Sequence, residues 1–345
     1  ADIQYDASMY CLIFSFAVPF HMVEYLSSAM LKVSGDMRHP SFIAVMMCVC
    51  DVVYNFFLIF PTRELTVFGV SFNVFGFGLG VEGAALGTML SFVTAAIPLA
   101  YFAIYRSPIL AWRLDTKRFV WVWEYVVHAV KIGAPMALQY LLMNGAQVIS
   151  TMIVAPLGNF AIAANSFAVT AESLCYMPGY GIGDAATTLV GQSVGAKRRE
   201  LCRSFAYMTV GLGMAVMALM GVVMYIFAPE MIGMLSPVAE IRELGVAVLR
   251  IEAFAEPFFA ASIVAYSVCV GAGDTFKPSL INLGSMWFVR LTLAYTLAST
   301  YRLQGVWFAM AVELTFRGTL FLIRIFRGRW MNNIADQSQK ESITA

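Results

Sequence analysis

LKVSGDMRHPS at residues 31–41 and VGAGDTFKPS at residues 270–279 are two versions of one turn, set 238 positions apart. The match extends upstream. Phe16, Ala17, Pro19, Phe20, Gly35, Asp36, Pro40 and Ser41 return as Phe254, Ala255, Pro257, Phe258, Gly273, Asp274, Pro278 and Ser279. Each copy runs as an apolar span interrupted by a proline, Pro19 or Pro257, then a Gly-Asp turn, then a second apolar span opening just after Pro40 or Pro278. An internal repeat of membrane helices is the pattern that builds two bundles around a central cavity, the architecture of secondary transporters.

The composition agrees, since 60% of residues are hydrophobic and 12% charged, far from the ~25% charged of soluble domains. Nine stretches are long enough to cross ~30 Å of hydrocarbon as helices: 9–33, 41–60, 80–105, 131–156, 160–190, 201–227, 243–271, 277–299 and 304–326. The expectation is an all-α, multi-pass membrane protein. Lys and Arg concentrate in cytoplasmic loops. Counting the flanking Lys32, Lys131 and Arg324, all but six of the 22 basic residues fall inside when the turns at 34–40, 106–130, 191–203 and 272–277 and the C-terminal tail are cytoplasmic. Arg63, Arg242 and Arg302 then face outward, and Arg250, Arg290 and Arg317 lie within spans.

The half containing Pro257 begins near Lys131, so its repeat partner would begin about a hundred residues before Ala1. That is room for three more helices. The expectation is a piece of a twelve-helix, two-lobe (6+6) protein, a true nine-helix protein being the alternative. Residues 1–105 are the second half of the first lobe, with an outward β-hairpin within 61–78. Residues 106–126, with Trp112, Trp121 and Trp123 among basic residues, are a cytoplasmic interfacial linker. Residues 127–328 are the six-helix second lobe, and 329–345 a polar cytoplasmic tail. Pro229 to Glu243 is an outward connection without a legible path.

LKVSGDMRHP and VGAGDTFKP, with GVEGAALGT (80–88), IGAPMALQ (132–139), ATTLVGQSVGA (186–196) and GVWFAM (305–310), resemble the multidrug and toxic compound extrusion (MATE) family in order and spacing. The resemblance implies two lobes related by a pseudo-twofold axis, the first without its opening three helices. It also implies an antiporter, not an enzyme, that exports organic, often cationic compounds against Na⁺ or H⁺. The setting would be a bacterial cytoplasmic (inner) membrane, with the C-terminus cytoplasmic and the protein monomeric. No cofactor, metal or nucleic-acid partner is expected beyond the coupling ion, the small organic substrate and the lipid bilayer.

Ionisable groups inside spans are functional candidates because charge in hydrocarbon is costly. Asp51 and Asn55 share a helix face at i, i+4, with Thr88 on the next span; their oxygens suit a small cation. The family places Asn before Asp here, so this chain reverses the order, and the family's aspartate on the first helix has no counterpart in it. The second lobe holds Glu172, Glu252, Glu256, Glu313, Arg290 and Arg317. Four acids against two bases leave a surplus, with Glu256 the leading candidate for proton or cation handling and Glu172 next. A closed structural salt-bridge network is the alternative. Where some members carry a second-lobe Glu and Asp, this chain has Met143 and Phe259, which leans toward the DinF-like branch. Gln139, Met143 and Gln147, with Asn144 beside them, form a stripe suited either to a pliable substrate cavity or to helix-helix hydrogen bonding.

Other signals exclude functions. Gly78, Gly80 and Gly83 spell G-x-G-x-x-G without a βαβ unit around them, so they read as close helix contacts and not as a dinucleotide site, as do Gly179, Gly183, Gly191 and Gly195. The six cysteines lack metal-ligand spacing and read as buried thiols. His21, within a span, reads as a hydrogen-bonded histidine or a member of a proton path. A lipid-linked glycan flippase would need a basic cavity, and acids outnumber bases here. An intramembrane enzyme would need a motif such as H-E-x-x-H or G-x-S-x-G, and none is present.

Overall fold

The structure is a computed structural model that describes residues 2–67, 70–107, 109–110 and 121–331. The chain divides into two compact units, residues 1–120 and 121–345. In the first, α1 (Asp2–Val33) and α2 (Arg38–Leu58) both pack on α3 (Gly80–Tyr101), which continues through one π turn, Phe102–Arg106. The expected hairpin is present as antiparallel β1 (Pro61–Val67) and β2 (Val70–Phe77). A short stretch of alternating pattern thus interrupts what is, among the described residues, an otherwise helical chain. The interfacial helix expected around Trp112 lies outside the described residues, as does the tail beyond Met331.

The second unit comprises α4 (Trp123–Val154), α5 (Asn159–Gly195), α6 (Arg199–Leu235), α7 (Ala239–Glu252), α8 (Glu256–Gly271), α9 (Phe276–Gly284) and α10 (Leu291–Arg327). A π turn, Ser285–Arg290, joins α9 to α10. Helix α5 packs on α6 and α8, and α8 lies also against α6 and α10. The indole of Trp307 on α10 donates to Asn165 Oδ1 on α5 at 2.9 Å, and Trp287 donates to the Leu142 carbonyl of α4. Among the described residues six helical segments are long and apolar enough to cross a membrane, or seven if the bent pair α7–α8 counts as one. One of the six, Phe276–Arg327, contains two of the expected spans.

The repeat survives as hydrogen bonds. Gly35 N–H donates to Lys32 O and Asp36 N–H to Leu31 O; 238 residues on, Gly273 donates to Val270 O and Asp274 to Cys269 O. Both glycines are left-handed, at φ 90° and 75°, the αL stop that glycine alone adopts cheaply. The aspartates then diverge. The Asp36 carboxylate receives the His39 backbone N–H at 3.3 Å and lies 2.6 Å from His39 Nδ1. Its pKa falls below the ordinary carboxylate value because, although burial works against the charge, the bonds to His39 outweigh it. Asp274 instead pairs with Arg324 of α10, tying the α8–α9 turn to the chain's last long helix.

The prolines differ in their effect. Pro257 is the second residue of α8, after the non-helical step Ala253–Ala255, and the span bends there by 60°. Pro19, expected to break its span in the same way, sits inside a continuous α1. A proline in the first helical turn removes a donor that would be orphaned anyway, whereas inside a helix it costs one bond that the surrounding turns can carry. The second unit therefore has a broken span where the first does not. The segment from Pro229 to Glu243 is also regular: α6 runs to Leu235 and α7 begins at Ala239.

Two further expectations are corrected by packing. Gly78 and Gly80 are left-handed turn residues between β2 and α3, and only Gly83 makes the close helix contact, 2.5 Å from an added Cβ to the Leu58 carbonyl. On α5, Gly179 and Gly183 make such contacts and Gly195 meets nothing. Of the six free thiols, Cys175, Cys202 and Cys269 are buried, whereas Cys11 and Cys48 are exposed on apolar helices. Trp330, at the edge of the expected tail, is buried against α10 and donates to the Ile325 carbonyl.

Between the two expected spans in α10, Arg302 leaves helical geometry at φ 51°, ψ −134°. The chain reverses there: a Cβ on Gly305 would lie 2.5 Å from the Leu297 carbonyl, and Arg290 reaches Met310. A side chain at positive φ with extended ψ costs about 1–3 kcal/mol, and glycine relieves most of it. Arg302 is exposed, so Arg302→Gly should raise thermal stability in detergent by roughly 1 kcal/mol after glycine's unfolded-state entropy is subtracted. A lower melting temperature would show that the arginine itself holds the reversal.

Candidate functional site

The broken span sets the site in the second unit. Glu252 ends α7 and Glu256 opens α8, so three non-helical residues hold two carboxylates near one bend. Helix α5 supplies Glu172, the π turn supplies Arg290, and the returning half of α10 supplies Glu313 and Arg317. The bend is admitted by glycines. A Cβ added at Gly221 of α6 would lie 2.7 Å from the Ala253 carbonyl, and one added at Gly318 of α10 would collide with the Phe258 carbonyl.

The structure brings all six expected charges together. Glu252 feels Glu172, Arg290, Glu256 and Glu313, and Arg290 feels Glu313, Glu252, Glu172 and Arg317. Glu252, Glu256 and Glu313 are fully buried, and Glu172 and Arg317 nearly so. Arg317 Nε lies 3.1 Å from Glu313 Oε1, an i, i+4 ion pair, and the Arg317 guanidinium also lies 5.8 Å from the Phe259 ring centroid. Yet both carboxylate oxygens of Glu252 and of Glu256, and Arg290 Nε, have no hydrogen-bond partner, and Glu313 has the Arg317 ion pair alone. Buried polar groups are almost always hydrogen-bonded, so these oxygens are the acceptors of the cluster that the protein's own donors leave unfilled. Among the described residues no three carboxylate, imidazole or thiol groups are placed to hold a metal ion.

In the first unit Asn55 Nδ2 donates to Asp51 Oδ2 at 3.1 Å, leaving Asp51 Oδ1 and Asn55 Oδ1 unpartnered. The α3 residue against Asn55 is Gly87, where an added Cβ would collide with Asn55 Oδ1; Thr88 is its half-buried neighbour. The Asp51–Asn55 pair is therefore real and sealed by a glycine that the spacing argument overlooked. His21 stacks on Phe92 with centroids 4.4 Å apart, and its Nδ1 lies 3.5 Å from Glu24.

The α4 stripe does not share one environment. Gln139 is buried, with its Oε1 unpartnered, and lies in reach of the Tyr266 hydroxyl of α8, as does Ser279 of α9. Met143 is half-buried, whereas Gln147 and Asn144 are exposed, Asn144 donating to the Tyr140 carbonyl. Gln139 thus belongs to a polar contact among α4, α8 and α9, and the other two amides lie on a different side of the helix.

The MatE family model matches residues 135–296, which hold Glu172, Glu252, Glu256 and Arg290. A probable multidrug resistance protein NorM from Thermotoga maritima is 26% identical over 306 residues, 88% of this chain and 63% of the relative. The chain thus spans less than two thirds of that relative's length. The fold is similar to the crystal structure of the Vibrio cholerae MATE transporter VcmN in the bent form, with a TM-score of 0.76 at 16% identity, covering 96% of this chain and 70% of that one. It is also similar to the MATE transporter ClbM solved in complex with Rb⁺, with a TM-score of 0.67 at 20% identity, covering 86% and 63%. With the family match holding four of the six clustered charges and the likeness of sequence and fold extending over both units, the chain is similar in sequence and fold to the MATE family of multi-pass membrane proteins.

Proposed function

We propose that the chain is the greater part of an ion-coupled exporter of small organic compounds, in which the second unit's carboxylates carry the coupling. The observation that supports this reading is the set of unpartnered carboxylate oxygens on Glu252 and Glu256, buried in a cluster of four carboxylates with only two guanidiniums. Charge of this kind inside a span is a functional candidate by default. Glu256 is the group expected to exchange its proton, because it sits at the break and no guanidinium pairs with it, whereas Glu313 has Arg317. A proton needs a single carboxylate, and it is the proposed coupling ion at this cluster. Asp51 and Asn55, with oxygens free to coordinate, are the place in the first unit for a small cation, and an alkali ion accompanies the ClbM relative. Drug or metabolite cations are the proposed substrates, in a bacterial cytoplasmic membrane with the C-terminus inside. Loading the carboxylates would bias the equilibrium between the two access states. Four carboxylates to two guanidiniums speak against a pyrophosphate-linked cargo.

The test is efflux of an organic cation from cells expressing the protein, measured across pH and Na⁺ concentration. Glu256→Gln, which keeps shape and loses the titration, is expected to cut transport at least tenfold, a loss of about 1.4 kcal/mol, and to flatten its pH dependence. Unchanged pH and Na⁺ profiles would remove Glu256 from the coupling path.

A further inference from the structure

Helices α6 and α7 run antiparallel in a register that places two arginines of α7 across the surface of α6. Arg250 Nε donates to the Tyr225 carbonyl at 3.3 Å, with its guanidinium 5.3 Å from the Tyr225 ring centroid. Two turns away, Arg242 lies over Gly233, where a Cβ would come within 2.9 Å of its guanidinium. Between them is an open hollow of about 380 Å³ whose floor is Pro229, Val246 and Ala247, with Glu243 at the rim. Both arginines are exposed, and among the described residues neither has a carboxylate within ion-pair distance. Four residues beyond Arg250, Phe254 is exposed and packs edge-on against Tyr225, with centroids 5.6 Å apart.

We infer that this hollow holds the headgroup of an anionic phospholipid, its phosphate between Arg242 and Arg250 and an acyl chain along Tyr225 and Phe254. The order of the groups is that of a lipid: cationic donors above, an apolar floor, then exposed aromatics below. Eight residues of helix separate the two arginines by ~12 Å, which the long side chains close upon a phosphate between them. Guanidinium forks match phosphate oxygens bidentately, and a guanidinium near hydrocarbon is stable only when paired or directed to the interface. One guanidinium is offset by Glu243, leaving a net positive site that favours a net anionic lipid over a zwitterionic one. Such a lipid would also brace the end of α7, since Arg250 is exposed while Glu252, two residues on, is fully buried at the bend. This inference stands independently of the transport reading.

The experiment is native mass spectrometry of the whole chain extracted from bilayers of equal phosphatidylcholine and phosphatidylglycerol. The unaltered chain is expected to retain phosphatidylglycerol in preference, by about fivefold for each arginine engaged. Arg242→Gln with Arg250→Gln is expected to abolish the preference, and Arg242→Lys with Arg250→Lys to keep part of it. Equal retention of the two lipids by the unaltered chain would overturn the inference without any variant having to fold. A preference surviving the double glutamine change would place the lipid elsewhere and overturn it too. So would displacement of the retained lipid by millimolar inorganic phosphate, which would mark a site for the free ion.

Discussion

Arg290→Leu is expected to destabilise the second unit by about 3–5 kcal/mol, the cost of stranding buried carboxylates when a compensating charge is removed. Arg290 is the positive charge felt by Glu313, Glu252 and Glu172, so its loss leaves the cluster's four carboxylates with one guanidinium, Arg317, which is already committed to Glu313. Size exclusion and thermal unfolding in detergent would read the loss. Two rescues separate this cause from mere repacking. Adding Glu252→Gln to Arg290→Leu should recover more than half the stability, because it removes a charge that has no hydrogen bond of its own. Acidification should also recover part of it, since protonation neutralises the same carboxylates. A single variant as stable as the parent at neutral pH would mean that the cluster is hydrated and that its carboxylates hold no buried charge.

The repeat was legible because turn chemistry is local. Gly35 and Gly273 must be αL to close the same hydrogen bonds, so both the residue type and the spacing survive in the sequence. The charged cluster was legible for a different reason. In an apolar chain each ionisable residue stands out, and six of them with no place in lipid must meet one another. What stayed hidden were features fixed by neighbours distant in sequence. Pro19 and Pro257 occupy equivalent repeat positions, but only the second follows a break, and that break depends on Gly221 and Gly318 from other helices. The stripe of Gln139, Met143 and Gln147 has regular helical spacing, yet only Gln139 is buried, because the covered face of α4 runs through Gln139, Ala146 and Ser150 and leaves Gln147 beside it. Arg242 reads as an outward-facing base and Arg250 as one within a span until α6 is laid against them, and the register that aligns Gly233 and Tyr225 with them has no sequence signature.

Gly318→Leu should disrupt the second unit more than any change on its surface, because position 318 is where α10 crosses the start of α8. The added Cβ alone would collide with the Phe258 carbonyl and lie 2.9 Å from the Phe258 Cβ, and backbone cannot rotate out of the way as a side chain can. In a membrane the helices associate by close packing and not by hydrophobic expulsion, so a small residue at a crossing is what brings the backbones together. Overpacking a buried contact costs about 1–3 kcal/mol and more where backbone must move; here the displaced segment is Glu256 to Phe258, which carries the leading titratable group. The expectation is therefore a double effect: a loss of thermal stability above about 3 kcal/mol, and in any folded fraction a loss of the pH response assigned to Glu256. Gly318→Ala should produce the smaller version of both, and Gly221→Leu, which meets the Ala253 carbonyl on the other side of the bend at 2.7 Å, the same pair. If Gly318→Leu lowered stability yet left the pH dependence of efflux intact, the break would be holding helices together without positioning Glu256. If neither changed, α10 would not approach α8 this closely and the geometry of the site would have to be redrawn.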